Sequence, residues 1–238
     1  MVRIGTSGFS YKEWVGNFYP AKTPGNKMLA CYATRMPTVE INYTFRAMPR
    51  PPMLERWMGE TPAGFRFALK ASQRITHQAR LKNTGNDVDY FISVAQGLGE
   101  RLGPTLFQLP PGFKKDVALL HDFLAQLDGR LIAAFEFRDS SWFDDSVYAE
   151  LGEAASALCI AESDKLSTPV TVTAPHTYLR LRRETYEEAE LAQWADRIAD
   201  MDSQGCDVYV YLKHAVAAPA LAATLRALLD ERLGIAAR

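Results

Sequence analysis

Eight short runs rich in β-branched and aromatic residues recur along this chain of 238 residues. Their starts lie about 30 residues apart, the size of one βα unit. The runs are 2–6, 38–43, 65–70, 105–109, 132–138, 157–162, 177–182 and 207–213. Helical apolar spacing fills most of the gaps, over 26–35, 51–58, 88–102, 116–127, 146–157, 186–201 and 218–233. Strands alternating with helices require a parallel sheet, and eight such units fit a (β/α)8 TIM-type barrel of one domain spanning 1–238. Between 162 and 177 no helical pattern appears, and 168–172 reads as extended chain, so the sixth crossover is expected to be irregular. The competing doubly wound sheet calls for a glycine-rich phosphate turn after an early strand. Here Gly5-Thr6-Ser7-Gly8 lacks that pattern and leads into aromatic residues.

Strand alternation assigns each side chain a side. With Val39, Ile41 and Tyr43 on the helices, Glu40, Asn42 and Thr44 point into the barrel. Phe65, Phe67 and Leu69 leave Arg66, Ala68 and Lys70 inside. Gln108 is inward, as are Glu136 and Arg138 between Phe135 and Phe137. Tyr178, Arg180 and Arg182 share the interior with Tyr209, Tyr211 and Lys213. Branched apolar residues normally fill that space. Here the C-terminal strand ends carry two carboxylates, Glu40 and Glu136, against five cations, Lys70, Arg138, Arg180, Arg182 and Lys213. Buried charge is costly unless it is paired or bound. The cationic excess suits phosphate, sulfate or carboxylate. A closed salt-bridge network without a ligand is the alternative.

The total charge is −1, from 27 Lys+Arg against 28 Asp+Glu. This excludes a globally basic nucleic-acid-binding surface, not a local patch. Cys31, Cys159 and Cys206 lie far apart without zinc-site spacing and read as reduced thiols in or near the core. No secretory signal and no apolar stretch long enough to span a bilayer is visible, so no membrane association and a cytoplasmic location are the expectations.

Several segments resemble the YecE-like proteins, barrel proteins without an established reaction. They are Ile4-Gly5-Thr6-Ser7-Gly8-Phe9-Ser10-Tyr11-Lys12 with Trp14 and Phe18-Tyr19-Pro20, Val39-Glu40-Ile41-Asn42 with Thr44-Phe45, and Phe67-Ala68-Leu69-Lys70 with Arg74-Ile75-Thr76-His77. Gly103-Pro104, Gln108-Leu109-Pro110-Pro111 and Glu136-Phe137-Arg138 with Ser141-Trp142-Phe143 continue the likeness. The resemblance spans about residues 3 to 215 and implies a TIM-type barrel. The chain departs from the family pattern at Phe9, where Trp is usual, and at Asp139, where His commonly follows. It departs again at Arg182, in place of a His-Gly pair, and at Lys213-His214.

These residues give the candidate chemistry. Glu40 and Glu136 are an acid/base pair by type. Lys70 would act as a Schiff-base nucleophile, as a cation for an oxyanion, or as an ion-pair partner of either glutamate. His77, in the loop after the third strand, is the histidine best placed for proton transfer, with His214 second. Asn42, Gln108, Arg138, Trp142, Arg180 and Lys213 are the candidate binding residues. No cofactor is expected. A divalent metal on Glu40, Glu136 and a histidine is an alternative use of the same acids. The expected function is an enzyme acting on a small anionic or polyhydroxy substrate. The alternatives are a nucleic-acid-binding or endonuclease-like protein, in which Phe9, Tyr11, Trp14, Tyr19, Trp142 and Phe143 stack bases, and a non-catalytic ligand-binding barrel.

Overall fold

A computed structural model describes residues 1–163 and 166–235. The strands β1 (Val2–Ser7), β2 (Thr38–Ile41), β3 (Arg66–Lys70), β4 (Leu102–Gln108), β5 (Ala133–Glu136), β6 (Ala157–Glu162), β7 (His176–Leu181) and β8 (Asp207–Leu212) pair in parallel, in chain order. β8 closes on β1, with Val2 opposite Val208 and Thr6 opposite Leu212. The sequence reading of a (β/α)8 barrel therefore holds. Helices α1 (Met28–Ala33), α2 (Pro51–Gly59), α3 (Gly85–Ala95), α4 (Val117–Leu127) and α5 (Asp145–Glu153) carry the first five crossovers. α6 (Glu188–Ser203) links β7 to β8, and α7 (Ala218–Arg232) follows β8. Among the described residues no helix joins β6 to β7, as the sequence led us to expect. A single antiparallel bridge, Glu162 to Ser167, marks that crossover.

Helix boundaries have local causes. Pro51 and Pro52 open α2, where a missing N–H costs no hydrogen bond. Asp116 caps α4 by accepting from the Leu119 N–H at 3.0 Å. The segment expected to be one helix over 88–102 breaks at Gly99, whose φ of 53° lies outside helical space, and β4 begins at Leu102.

Two cores result. The larger lies between sheet and helices and contains Val39, Ile41, Phe65, Phe67, Leu69, Phe107, Phe135, Phe137, Leu179, Val208 and Val210. The smaller fills the barrel with Ala68, Leu106, Ala134, Ala157, Cys159, Ala161, Tyr178, Tyr209 and Tyr211. Its small residues leave room for the tyrosine rings, in the alternation of large and small that packs a closed barrel. Gly5 shows how tight the wall is. A Cβ there would lie 2.1 Å from the Thr38 carbonyl oxygen.

Candidate active site at the barrel mouth

The strand registers fix the height of each inward side chain. Lys70 pairs with Leu106 and Leu106 with Ala134, so the next inward residue up β5 is Glu136. The same step leads from Glu136 through Cys159 and Tyr178 to Arg180. It then runs through Tyr211 and Gly5 to Ser7, and through Glu40 and Ala68 back to Lys70. Ser7, Lys70, Glu136 and Arg180 thus form one interior layer contributed by alternate strands. Glu40, Leu106, Cys159 and Tyr211 lie half a step below. Asn42, Gln108, Ala161 and Lys213 lie half a step above. Below the charged ring the interior is packed with small apolar residues and tyrosines, and Arg3 lies over the Tyr209 ring at the base.

Arg180 holds the centre and is 1% exposed. One terminal nitrogen donates to Glu40 Oε1 at 2.8 Å. The other donates to Glu136 Oε2 and lies 3.5 Å from Gln108 Oε1. Each carboxylate then fills its remaining sites. Glu40 accepts from Ser7 Oγ, from Asn42 Nδ2 at 3.3 Å and, on Oε2, from the Tyr178 hydroxyl at 2.8 Å. Glu136 Oε1 accepts from Arg138 Nε at 2.9 Å and faces Arg182 at 3.5 Å. Arg138 also donates to Gln108 Oε1 at 3.1 Å. The wholly buried acids are therefore neutralised where they stand, as burial of charge requires.

This pairing sets the proton affinities. Burial pushes both carboxyls upward, but the cations outweigh it. Arg180, with hydrogen bonds from Ser7 and Tyr178, holds Glu40 below the usual range. Arg180, Arg182 and Arg138 bring Glu136 to about 2. The expectation that these glutamates exchange protons meets a physical obstacle: both stay ionised at ordinary pH, and their geometry suits holding arginines. Lys70 behaves oppositely. Burial, and then the Arg180 charge, lower it to about 8. Its Nζ sits 4.1 Å from the centre of the Phe45 ring. Among the described residues it pairs with neither glutamate. His77, on a π-type turn over Arg74–Gln78, packs edge-on against the same Phe45 ring at 4.9 Å. Its Nδ1 lies 2.9 Å from Thr76 Oγ1. Burial and the charges of Lys70 and Arg138 hold the imidazole below its usual pKa. Lys213 is lowered by burial and by Arg180.

A cavity of about 650 Å³ opens beside this network. Glu136, Arg138, Arg182, Lys213 and His214 contribute to its lining, together with Thr168 from the irregular crossover. The His214 ring is engaged, its Nδ1 accepting from the Val216 and Ala217 N–H groups. Trp142 departs from expectation. It is fully buried, lies flat on Phe137 at 4.5 Å and donates to the Phe113 carbonyl at 2.6 Å, so no ring face reaches the cavity. Trp14 and Tyr19 are likewise buried, and Trp14 donates to the Ala215 carbonyl. Among the described residues no three His, Cys, Asp or Glu side chains are grouped so as to hold a metal ion, and Glu40 and Glu136 face arginines rather than a histidine. Strand phase alone did not single out Ser7, Tyr178 and Phe45. Tyr178 was legible as inward but carried no charge to draw notice, Ser7 lies one residue past the expected first strand, and Phe45 lies beyond the end of its strand.

Residues 3–237 match the family described as "Protein of unknown function DUF72". The chain belongs to this family. It is 33% identical to the UPF0759 protein YunF of Bacillus subtilis over 159 residues, covering 63% of this chain and 55% of that one. It is 32% identical to the UPF0759 protein YecE of Escherichia coli K12 over 144 residues, covering 60% of this chain and 50% of that one. These matches span about half the length of the curated relatives. Two solved DUF72 structures share the fold. The Thermotoga maritima protein has a TM-score of 0.83 at 24% identity, with 98% of this chain and 99% of that one covered. An Enterococcus faecalis protein has 0.80 at 19%, with 100% and 97% covered. The YecE-like resemblance in the sequence and this family agree. Neither carries an established reaction.

Proposed function

We propose that this DUF72 barrel is an enzyme that binds a small anionic substrate at its C-terminal mouth and moves protons on it with Lys70 and His77. Arg138, Arg182 and Lys213 hold the anion. Glu40 and Glu136 fix Arg180, and through it the positive field of the floor. Asn42 and Gln108 align the two carboxylates and their arginines. The observation that carries this reading is the charge left over. The two carboxylates of the network are saturated by arginines, while Lys70 and Lys213 remain without ion-pair partners among the described residues. Arg182 also keeps a buried Nε without a hydrogen-bond partner. A cluster built only for stability would balance its charges. The cavity suits a metabolite-sized ligand. Packing of Trp14, Tyr19 and Trp142 into the core favours this over base stacking.

Thermal unfolding with inorganic phosphate and with citrate tests the binding. Both anions are expected to raise Tm well beyond sodium chloride at matched ionic strength, by up to about 2.7 kcal/mol of stability near saturation. Arg182→Met/Lys213→Met should lose that response. Equal effects of chloride, phosphate and citrate would remove the anion site. The chemistry is read by deuterium uptake from D2O into a panel of small carboxylic and phosphorylated acids. Absence of any uptake with binding intact would leave a non-catalytic binding barrel.

A further inference from the structure

Lys70 stands apart from the other charges of the mouth. It shares an interior layer with Ser7, Glu136 and Arg180, yet both nearby acids are taken by arginines. Its ammonium has an aromatic face and no counter-ion among the described residues. A lysine kept inside a barrel for stability finds a carboxylate. An amine held without one, among guanidinium groups, is poised to lose its proton and act as a nucleophile. Arg138 lines the cavity, and its charge is felt by both Lys70 and His77. Lys70 and His77 share the Phe45 ring, and β4 alone separates Lys70 at the end of β3 from the β5 end that carries Glu136 and Arg138.

We propose that Lys70 forms an imine with a small oxo acid whose carboxylate rests on Arg138. This rests on the anion-binding reading above and names its substrate class. Nζ, as free amine, adds to the carbonyl carbon, and the amine proton passes to the oxygen to give a carbinolamine. A second proton, relayed by His77, lets that hydroxyl leave as water. The product is a protonated imine, whose positive nitrogen draws electrons from the adjacent C–H or C–C bond. The depressed lysine pKa leaves a usable share of amine near neutrality. The Phe45 ring steers the side chain, and its attraction for the ammonium only partly opposes that shift.

The test is reductive trapping with pyruvate and sodium borohydride, which delivers hydride to the imine carbon and leaves a stable secondary amine. Intact mass and peptide mapping locate it. One adduct is expected, on Lys70, with an initial trapping rate that rises about tenfold per pH unit from about pH 6 and levels near pH 8. Lys70→Arg should abolish it, and Lys70→Met serves if the arginine variant fails to fold. Arg138→Met should lower trapping of pyruvate roughly tenfold more than it lowers trapping of acetaldehyde, which has no carboxylate to hold. Adducts scattered over surface lysines, or none on Lys70 while phosphate still raises Tm, would overturn the imine and leave the anion site standing. Pyruvate trapping indifferent to Arg138→Met would overturn the oxo-acid assignment. Loss of both the phosphate response and the adduct would remove the imine together with the anion-binding reading beneath it.

Discussion

Arg180 is the residue on which the mouth depends. Among the described residues it alone joins the two buried carboxylates, so deleting it leaves Glu40 without a cation and Glu136 with Arg138 and Arg182 only. Arg180→Met should cost about 3–5 kcal/mol in urea unfolding, the scale for breaking a buried pair from one side. Adding Glu40→Gln and Glu136→Gln should recover part of that loss, because the charges leave together. A triple variant no more stable than Arg180→Met would show that the network's worth is packing rather than charge balance. Lys70 carries the opposite burden. Burial disfavours its charge and, among the described residues, its ammonium contacts an aromatic ring rather than a carboxylate, so its value must be sought in chemistry.

At the scale of the elements, strand phase was the most legible signal in the sequence. Alternation in β2, β3, β5, β7 and β8 correctly assigned the apolar residues to the helix side, except Tyr43, which lies past the end of β2 on a 3-10 turn and is exposed. What it left undecided was pairing. Nothing in 39–41 says that Glu40 meets Arg180 rather than Lys70, since that depends on register across the barrel. Trp142 was misread for a related reason. An aromatic following a charged strand end looks like a binding platform until Phe137 and the Phe113 carbonyl are seen to enclose it. The element most sensitive to a minimal change is β1. Gly5→Ala would drive a methyl into the β2 backbone and should cost about 2–3 kcal/mol, read as a lower Tm. An unshifted Tm would mean that β1 and β2 separate freely.

For the whole molecule the charged mouth sets the response to acid. Glu136 titrates near 2 in the folded chain against 4.5 ordinarily, and Glu40 is displaced in the same direction. Their contribution to stability is therefore complete above about pH 4.5 and drains away as pH falls toward 2. Urea unfolding at about pH 7, 4.5 and 3 should show a steep loss over the acid interval, with Glu136→Gln flattening it. A slope that the variant leaves unchanged would place the acid sensitivity elsewhere. The two bonds of Arg180 also bear on assembly. Its partners precede it by 140 and 44 residues, so the acids of β2 and β5 are made long before the cation of β7. Arg138 gives Glu136 a neighbour on its own strand end, but Glu40 waits. A growing chain that has reached only β6 holds six of the eight strands and no Arg180 for Glu40. β7 brings the guanidinium that Glu40 lacks, and only the strand after it, β8, pairs with β1 to close the barrel.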